Sequence, residues 1–151
     1  MVIEAKQAVW DFQPQMKKAI GIDLGDARVG VAISDDLGML AHPLETIPTK
    51  SSDVLKRVLA LATERSAQTI VVGMPRNMNG TFGPAAEKSK AFIEELRRET
   101  SIPVVSWDER MTTVSAQRAL QEAGRNTRKQ RPIIDQVAAQ IILQSWLDSQ
   151  E

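Results

Sequence analysis

Four acidic residues stand where a carboxylate calls for a partner. Asp23 lies near the end of the apolar run Ala19-Ile20-Gly21-Ile22-Asp23-Leu24-Gly25. Burying an unpaired carboxylate there costs several kcal/mol, so a cation, a set of donors or a metal is expected beside it. Asp108 and Glu109 follow a second apolar run, Val104-Val105-Ser106-Trp107. Asp135 heads a stripe in which Ala138, Ala139 and Ile142 recur at i+3, i+4 and i+7, the face of a helix turned toward the body of a domain. Separated acids brought to one sheet edge by a strand, a strand and a helix suit divalent-metal phosphodiester chemistry. Hard oxygen ligands hold Mg²⁺ or Mn²⁺ about 3.5 to 4 Å apart when two ions bind. Purely structural roles compete with this: an Asx turn at Asp23, a solvated strand end at Asp108 and Glu109, and for Asp135 a helix-dipole gain of about 0.3 to 1 kcal/mol.

Composition removes most other chemistries. The chain has 151 residues and no cysteine, so thiol nucleophiles, disulfides and zinc ribbons are excluded. Its one histidine, His42, precedes Pro43 in an expected surface turn. Lys plus Arg and Asp plus Glu both number 19, so a polyanionic partner must be met by a local patch. One such patch is Gly124-Arg125-Asn126-Thr127-Arg128-Lys129-Gln130-Arg131, with four cations and no acid. No apolar stretch approaches membrane-span length, and residues 1–15 lack the pattern of a signal peptide, so a cytoplasmic protein without membrane association is expected.

Positioning elements follow from periodicity and punctuation. Residues 1–16 read as a poorly ordered extension, and 17–151 as one domain. Lys18 to Leu24 and Val29 to Ser34 form a predicted hairpin about Gly25-Asp26-Ala27-Arg28, and Leu44 to Ile47 a third, edge strand. Ser51 or Ser52 is a predicted cap for a helix ending near Ser66. Thr69 to Gly73 is a buried strand, Pro84 opens a helix with Phe92, Ile93 and Leu96 on its face, and Val104 to Trp107 is the last strand. Two helices close the chain, from about Thr112 to Ala123 and from Pro132 to about Leu147. The order predicts an α/β fold of the ribonuclease H (RNase H)-like kind: a five-stranded mixed sheet, three strands in an antiparallel meander and two added in parallel, with helices on both faces. Strand alternation sends Asp108 and Glu109 to opposite faces, so at most one of them easily joins Asp23.

Four motifs occur in order. They are Gly21-x-Asp23-x-Gly25-x-x-Arg28-x-Gly30-x-Ala32; Val72-Gly73-Met74-Pro75-Arg76-Asn77-Met78-Asn79-Gly80-Thr81; Asp108-Glu109-Arg110-Met111-Thr112-Thr113; and Ile134-Asp135-x-x-Ala138-Ala139-x-Ile141-Ile142-Leu143. Together they resemble the YqgF family, also called RuvX, over nearly everything from Lys17 to Leu147. The resemblance implies an RNase H-like nuclease of precursor 16S ribosomal RNA or a Holliday junction resolvase-like enzyme. It makes Asp23, Glu109 and Asp135 the catalytic and metal-binding acids. Glu109 also has the longer reach, which matters because its strand stands about 10 Å from the first at ordinary strand spacing. Arg76 and Asn79 depart from the family pattern, which usually has leucine and often aspartate there.

Placed beside Asp135, the basic run becomes a candidate phosphate-binding surface. Arg28, Arg76, Arg110, Arg125, Arg128, Lys129 and Arg131 are the expected nucleic-acid contacts. The expected activity is metal-dependent endonucleolytic cleavage of structured nucleic acid, with the 5′ end of precursor 16S rRNA ahead of branched DNA. A non-catalytic RNA-binding assembly factor on the same scaffold is the other class. A sugar-kinase or actin-like ATP-binding module is disfavoured because such proteins close ATP between two related domains. The expected assembly is a monomer or weak dimer.

Overall fold

The computed structural model describes residues 17–77, 79–112 and 131–150, with side chains in the last segment from Ile134 onward. The N-terminal extension, the expected helix up to Ala123, and Arg125, Arg128 and Lys129 lie outside the described residues.

Strands β1 (Ala19–Leu24), β2 (Arg28–Ser34) and β3 (Ala41–Pro48) make the meander, and β4 (Thr69–Met74) and β5 (Val104–Asp108) extend it in parallel on the other side. The order across the sheet is β3-β2-β1-β4-β5, so Asp23 rides on the central strand. β3 is longer than the sequence predicts. It begins at Ala41, so His42 is an exposed strand residue paired with Ile33 rather than part of a turn. Pro43 is tolerated because β3 is an edge, and a register shift opposite Val31 and Ala32 absorbs Leu44 as an extra residue.

Helices α1 (Val54–Glu64) and α2 (Pro84–Glu99) cover one face. Their apolar stripes, with Val58, Leu61, Ile93 and Leu96, close a core over Ile20, Ile22, Val29, Val31, Ile70 and Val72. The cap of α1 is Asp53, whose carboxylate accepts from the Lys56 amide at 3.2 Å, rather than Ser51 or Ser52. The helix stops where Ser66 enters the left-handed region at φ 56°. There the Ser66 and Ala67 amides donate to the carbonyls of Thr63 and Ala62, which satisfies the last turn.

The opposite face carries α3 (Arg131–Ser149), one residue earlier in its start than expected. Its stripe of Ala138, Ala139, Ile142, Leu143 and Leu147 packs on Ala19, Ala32, Ala41 and Val71. Those sheet positions are small because the helix comes close: a Cβ on Gly21 would stand 2.6 Å from Leu143 Cβ. A second stripe on α3, Gln136, Gln140 and Gln144, ties down the edge strand. Gln136 donates to Thr46 Oγ1 at 2.9 Å, Gln140 to the Ala41 carbonyl at 2.9 Å, and Gln144 Oε1 accepts from the Ala41 amide at 2.8 Å. No helix among the described residues is long and apolar enough to cross a membrane.

Candidate functional site

Alternation along β1 sends Ile20 and Ile22 to the α1–α2 core, and Ala19, Gly21 and Asp23 toward α3. Asp23 is buried, with 6% of its surface exposed. Across the β1–β2 ladder it faces Gly30, and on β4 the position one step past the Ile22–Val72 pair is Gly73. A row of glycine, aspartate and glycine therefore crosses the three central strands.

The two glycines make room for the other two acids. The space that a Gly30 side chain would fill is taken by the backbone carbonyl of Asp135, which plants the start of α3 beside Asp23. At Gly73, a Cβ would meet Ile142 Cδ1 at 2.7 Å and the Cγ and Cδ of Glu109 at 3.4 Å. Glu109 thus lies back over β4, on the α3 side. It does so because β5 ends at Asp108 and Glu109 opens a 3-10 turn, Glu109–Met111, that bends the chain inward. The bend covers much of the two-strand separation that an extended β5 would leave. Asp135 falls beyond the first turn of α3, so the helix dipole is a lesser influence on it than its direct partner, the Arg28 guanidinium, at 2.8 Å from Nε to Oδ2. Among the described residues no three acidic side chains are drawn together closely enough to hold a metal, and the Asp135 carboxylate is turned to Arg28.

Asp108 belongs to the other face. Its carboxylate accepts from Arg76 Nη1 at 3.2 Å, Arg110 Nη2 at 2.8 Å and the Arg110 amide at 2.9 Å. The hydrogen bond from the Arg110 side chain is the main reason its pKa falls to about 2, against the opposing effect of burial. Arg76 also donates to the Gly80 carbonyl at 2.8 Å and lies 4.4 Å from the centre of the Phe82 ring, with Lys90 at 3.7 Å. The cluster pins the segment after β4 to the end of β5.

Three of the expected nucleic-acid contacts are thereby engaged by acids: Arg28 with Asp135, and Arg76 and Arg110 with Asp108. All three remain about one-third exposed on their side chains, at 30%, 28% and 34%. Arg131 is the first residue of α3. Gly30 and Gly73 stand in the first two sequence motifs without a role assigned to them there. Their signal was available as glycines inside otherwise β-branched strands, which mark a close approach of another group.

The fold is RNase H-like. It is similar to the solved structure of Thermus thermophilus RuvC in complex with a Holliday junction substrate, with TM-score 0.56 and 14% identity over 87% of this chain and 94% of that one. A further Thermus thermophilus RuvC structure gives TM-score 0.53 with 16% identity over 87% and 95%. Within that class the chain belongs to the RuvX family, whose model, described as Holliday junction resolvase, matches residues 17–149. Relatives named "Putative pre-16S rRNA nuclease" include those of Geobacillus kaustophilus, 51% identical over 87% of this chain and 98% of its own, and of Acetivibrio thermocellus, 48% identical over 87% and 96%. That of Ruegeria sp. strain TM1040 is 43% identical over 89% and 87%.

Proposed function

We propose that this protein is a divalent-metal-dependent endonuclease acting on structured nucleic acid, with precursor 16S rRNA as its substrate. The observation that carries the reading is the row Gly30–Asp23–Gly73, with Asp135 set over one glycine and Glu109 over the other. The donor set suits Mg²⁺ or Mn²⁺: carboxylate oxygens only, with one of them already holding a positive group, the Arg28 guanidinium. Asp23, Glu109 and Asp135 would hold the ion, which when bound acidifies water and offsets charge on a phosphate.

The remaining work falls to the chain itself. Asp23 is buried on the central strand, whose ladders to both neighbours fix its backbone. Gly30 and Gly73 let the neighbouring acids approach from either side. The Asp108 cluster anchors the 3-10 turn from which Glu109 projects, because Asp108 accepts from the Arg110 amide within that turn. Arg131 and the cations of residues 125–129 precede Asp135 in the chain, where they would meet the phosphate backbone.

The rRNA assignment takes its support from the names of the relatives, and the family description favours a second reading, cleavage of branched DNA. Incubating the protein and its Asp23→Asn variant with labelled precursor rRNA and a four-way DNA junction, in Mg²⁺ or Mn²⁺, separates them. The expected result is cleavage of the RNA that Asp23→Asn abolishes. Preferential cutting of the junction would replace the substrate, and tight RNA binding with no cleavage would make the protein an assembly factor.

A further inference from the structure

We infer that Arg28 is an exchangeable counter-cation, seated on Asp135 while no divalent ion is bound and turned toward a substrate phosphate when one binds. This rests on the reading of Asp23, Glu109 and Asp135 as cation ligands, and adds to it a resident positive charge with a second destination.

Arg28 opens β2, and its alternation with Gly30 and Ala32 places it on the α3 face, the face of Asp23. Its Nε lies 2.8 Å from Asp135 Oδ2, and the side chains are 30% and 17% exposed. The carboxylate is mostly enclosed, while the guanidinium keeps a path to water. A guanidinium does not lose its proton, so it cannot escape a metal ion arriving at the same carboxylate by neutralising itself. Leaving Oδ2 would free that oxygen for the ion and relieve the repulsion between two cations at one carboxylate in a partly desolvated site.

The geometry allows that movement. The backbone of Arg28 is anchored, with the Gly25 amide donating to its carbonyl at 3.0 Å and Pro48 paired to it across the ladder. Only the side chain has to swing. Asp26 and Ala27, which precede it, are exposed, so the released fork would face solvent, and a planar guanidinium suits phosphate oxygens. Arg28 would thus be a positioning residue for Asp135 in the metal-free state and a phosphate contact in the loaded one.

The test is calorimetric titration of Mn²⁺ into nucleic-acid-free wild type, Arg28→Gln and Arg28→Lys. Loss of the competing charge should tighten Mn²⁺ binding on the order of tenfold in Arg28→Gln, while Arg28→Lys stays near wild type. Arg28→Met, which keeps the aliphatic stem, gives the same comparison should glutamine fail to fold there. A merely structural Arg28 would leave affinity unchanged or weaken it. The second readout is the salt dependence of binding to a labelled RNA hairpin. In Ca²⁺ the slope of log K against log salt should fall by about 0.7 to 0.9 in Arg28→Gln, and in EDTA it should match wild type. Unchanged or weaker Mn²⁺ binding in the neutral variants, with wild type binding the ion, overturns the exchange and leaves the metal site standing. An equal slope loss in EDTA and Ca²⁺ overturns it too, since Arg28 would then touch phosphate at all times. Wild type that binds no Mn²⁺ at millimolar concentration overturns both the exchange and the metal reading.

Discussion

The carbonyl of Asp135 lies where a side chain on Gly30 would project, so residue 30 sets how closely α3 approaches the central strands. Gly30→Ala is therefore expected to push the start of α3 away from Asp23. Gly30 does not have a positive φ, so alanine would gain about 0.4 to 1 kcal/mol from a less disordered unfolded chain. Overpacking against a backbone carbonyl costs more, on the order of 3 kcal/mol. Denaturant unfolding should show a net loss, and cleavage should fall further than stability alone accounts for.

Asp23→Asn removes a charge from the central strand and preserves its shape. Cleavage in Mg²⁺ or Mn²⁺ should be lost, with the far-ultraviolet circular dichroism spectrum unchanged. Activity equal to wild type would remove Asp23 from the catalytic set.

Glu109 and Asp108 are adjacent in sequence and serve opposite faces of the sheet. Glu109→Gln should reduce Mn²⁺ affinity and turnover with little change in unfolding midpoint. Asp108→Asn should act mainly on stability by loosening the clamp on Arg76 and Arg110. Loss of Mn²⁺ affinity in Asp108→Asn and not in Glu109→Gln would reverse the two assignments.

The pH dependence of that clamp has a definite sign. Asp108 titrates at about 2 in the folded protein, against 3.8 as its ordinary value, so its contribution is fully present above about pH 4 and disappears as pH falls toward 2. Stability measured across that interval should decline less steeply in Asp108→Asn than in wild type.

Replacing Arg125, Arg128, Lys129 and Arg131 by alanine should weaken nucleic-acid binding and flatten its salt dependence. The slope should fall by about 0.7 to 0.9 for each phosphate that the variant no longer neutralises. A slope equal to that of wild type would make the run a solvated connection between helices.

Much of this molecule is written in short-range pattern. Alternation in residues 19–24, the β-branched run at 69–74, Pro84 opening α2 and the i+3, i+4 stripe after Asp135 each depend on neighbours within a few residues, so the order of these described elements and the fold class follow from the chain alone. The acids too are visible, because charges closing or heading apolar runs conflict with burial. What the tertiary structure decided are relationships between residues far apart in sequence. Arg28 and Asp135 are separated by 107 positions, and their ion pair exists because α3 crosses the end of β2. Extended geometry left Glu109 about two strand spacings from Asp23, and the 3-10 turn together with the open space above Gly73 brings it back over β4. Asp53 displaced the two serines as the cap because only its carboxylate meets the Lys56 amide once the chain has left β3. Local propensity says nothing of which strand a glycine will neighbour or which helix will descend on it, and those approaches are what set Asp135 over Gly30 and Glu109 over Gly73, on either side of Asp23.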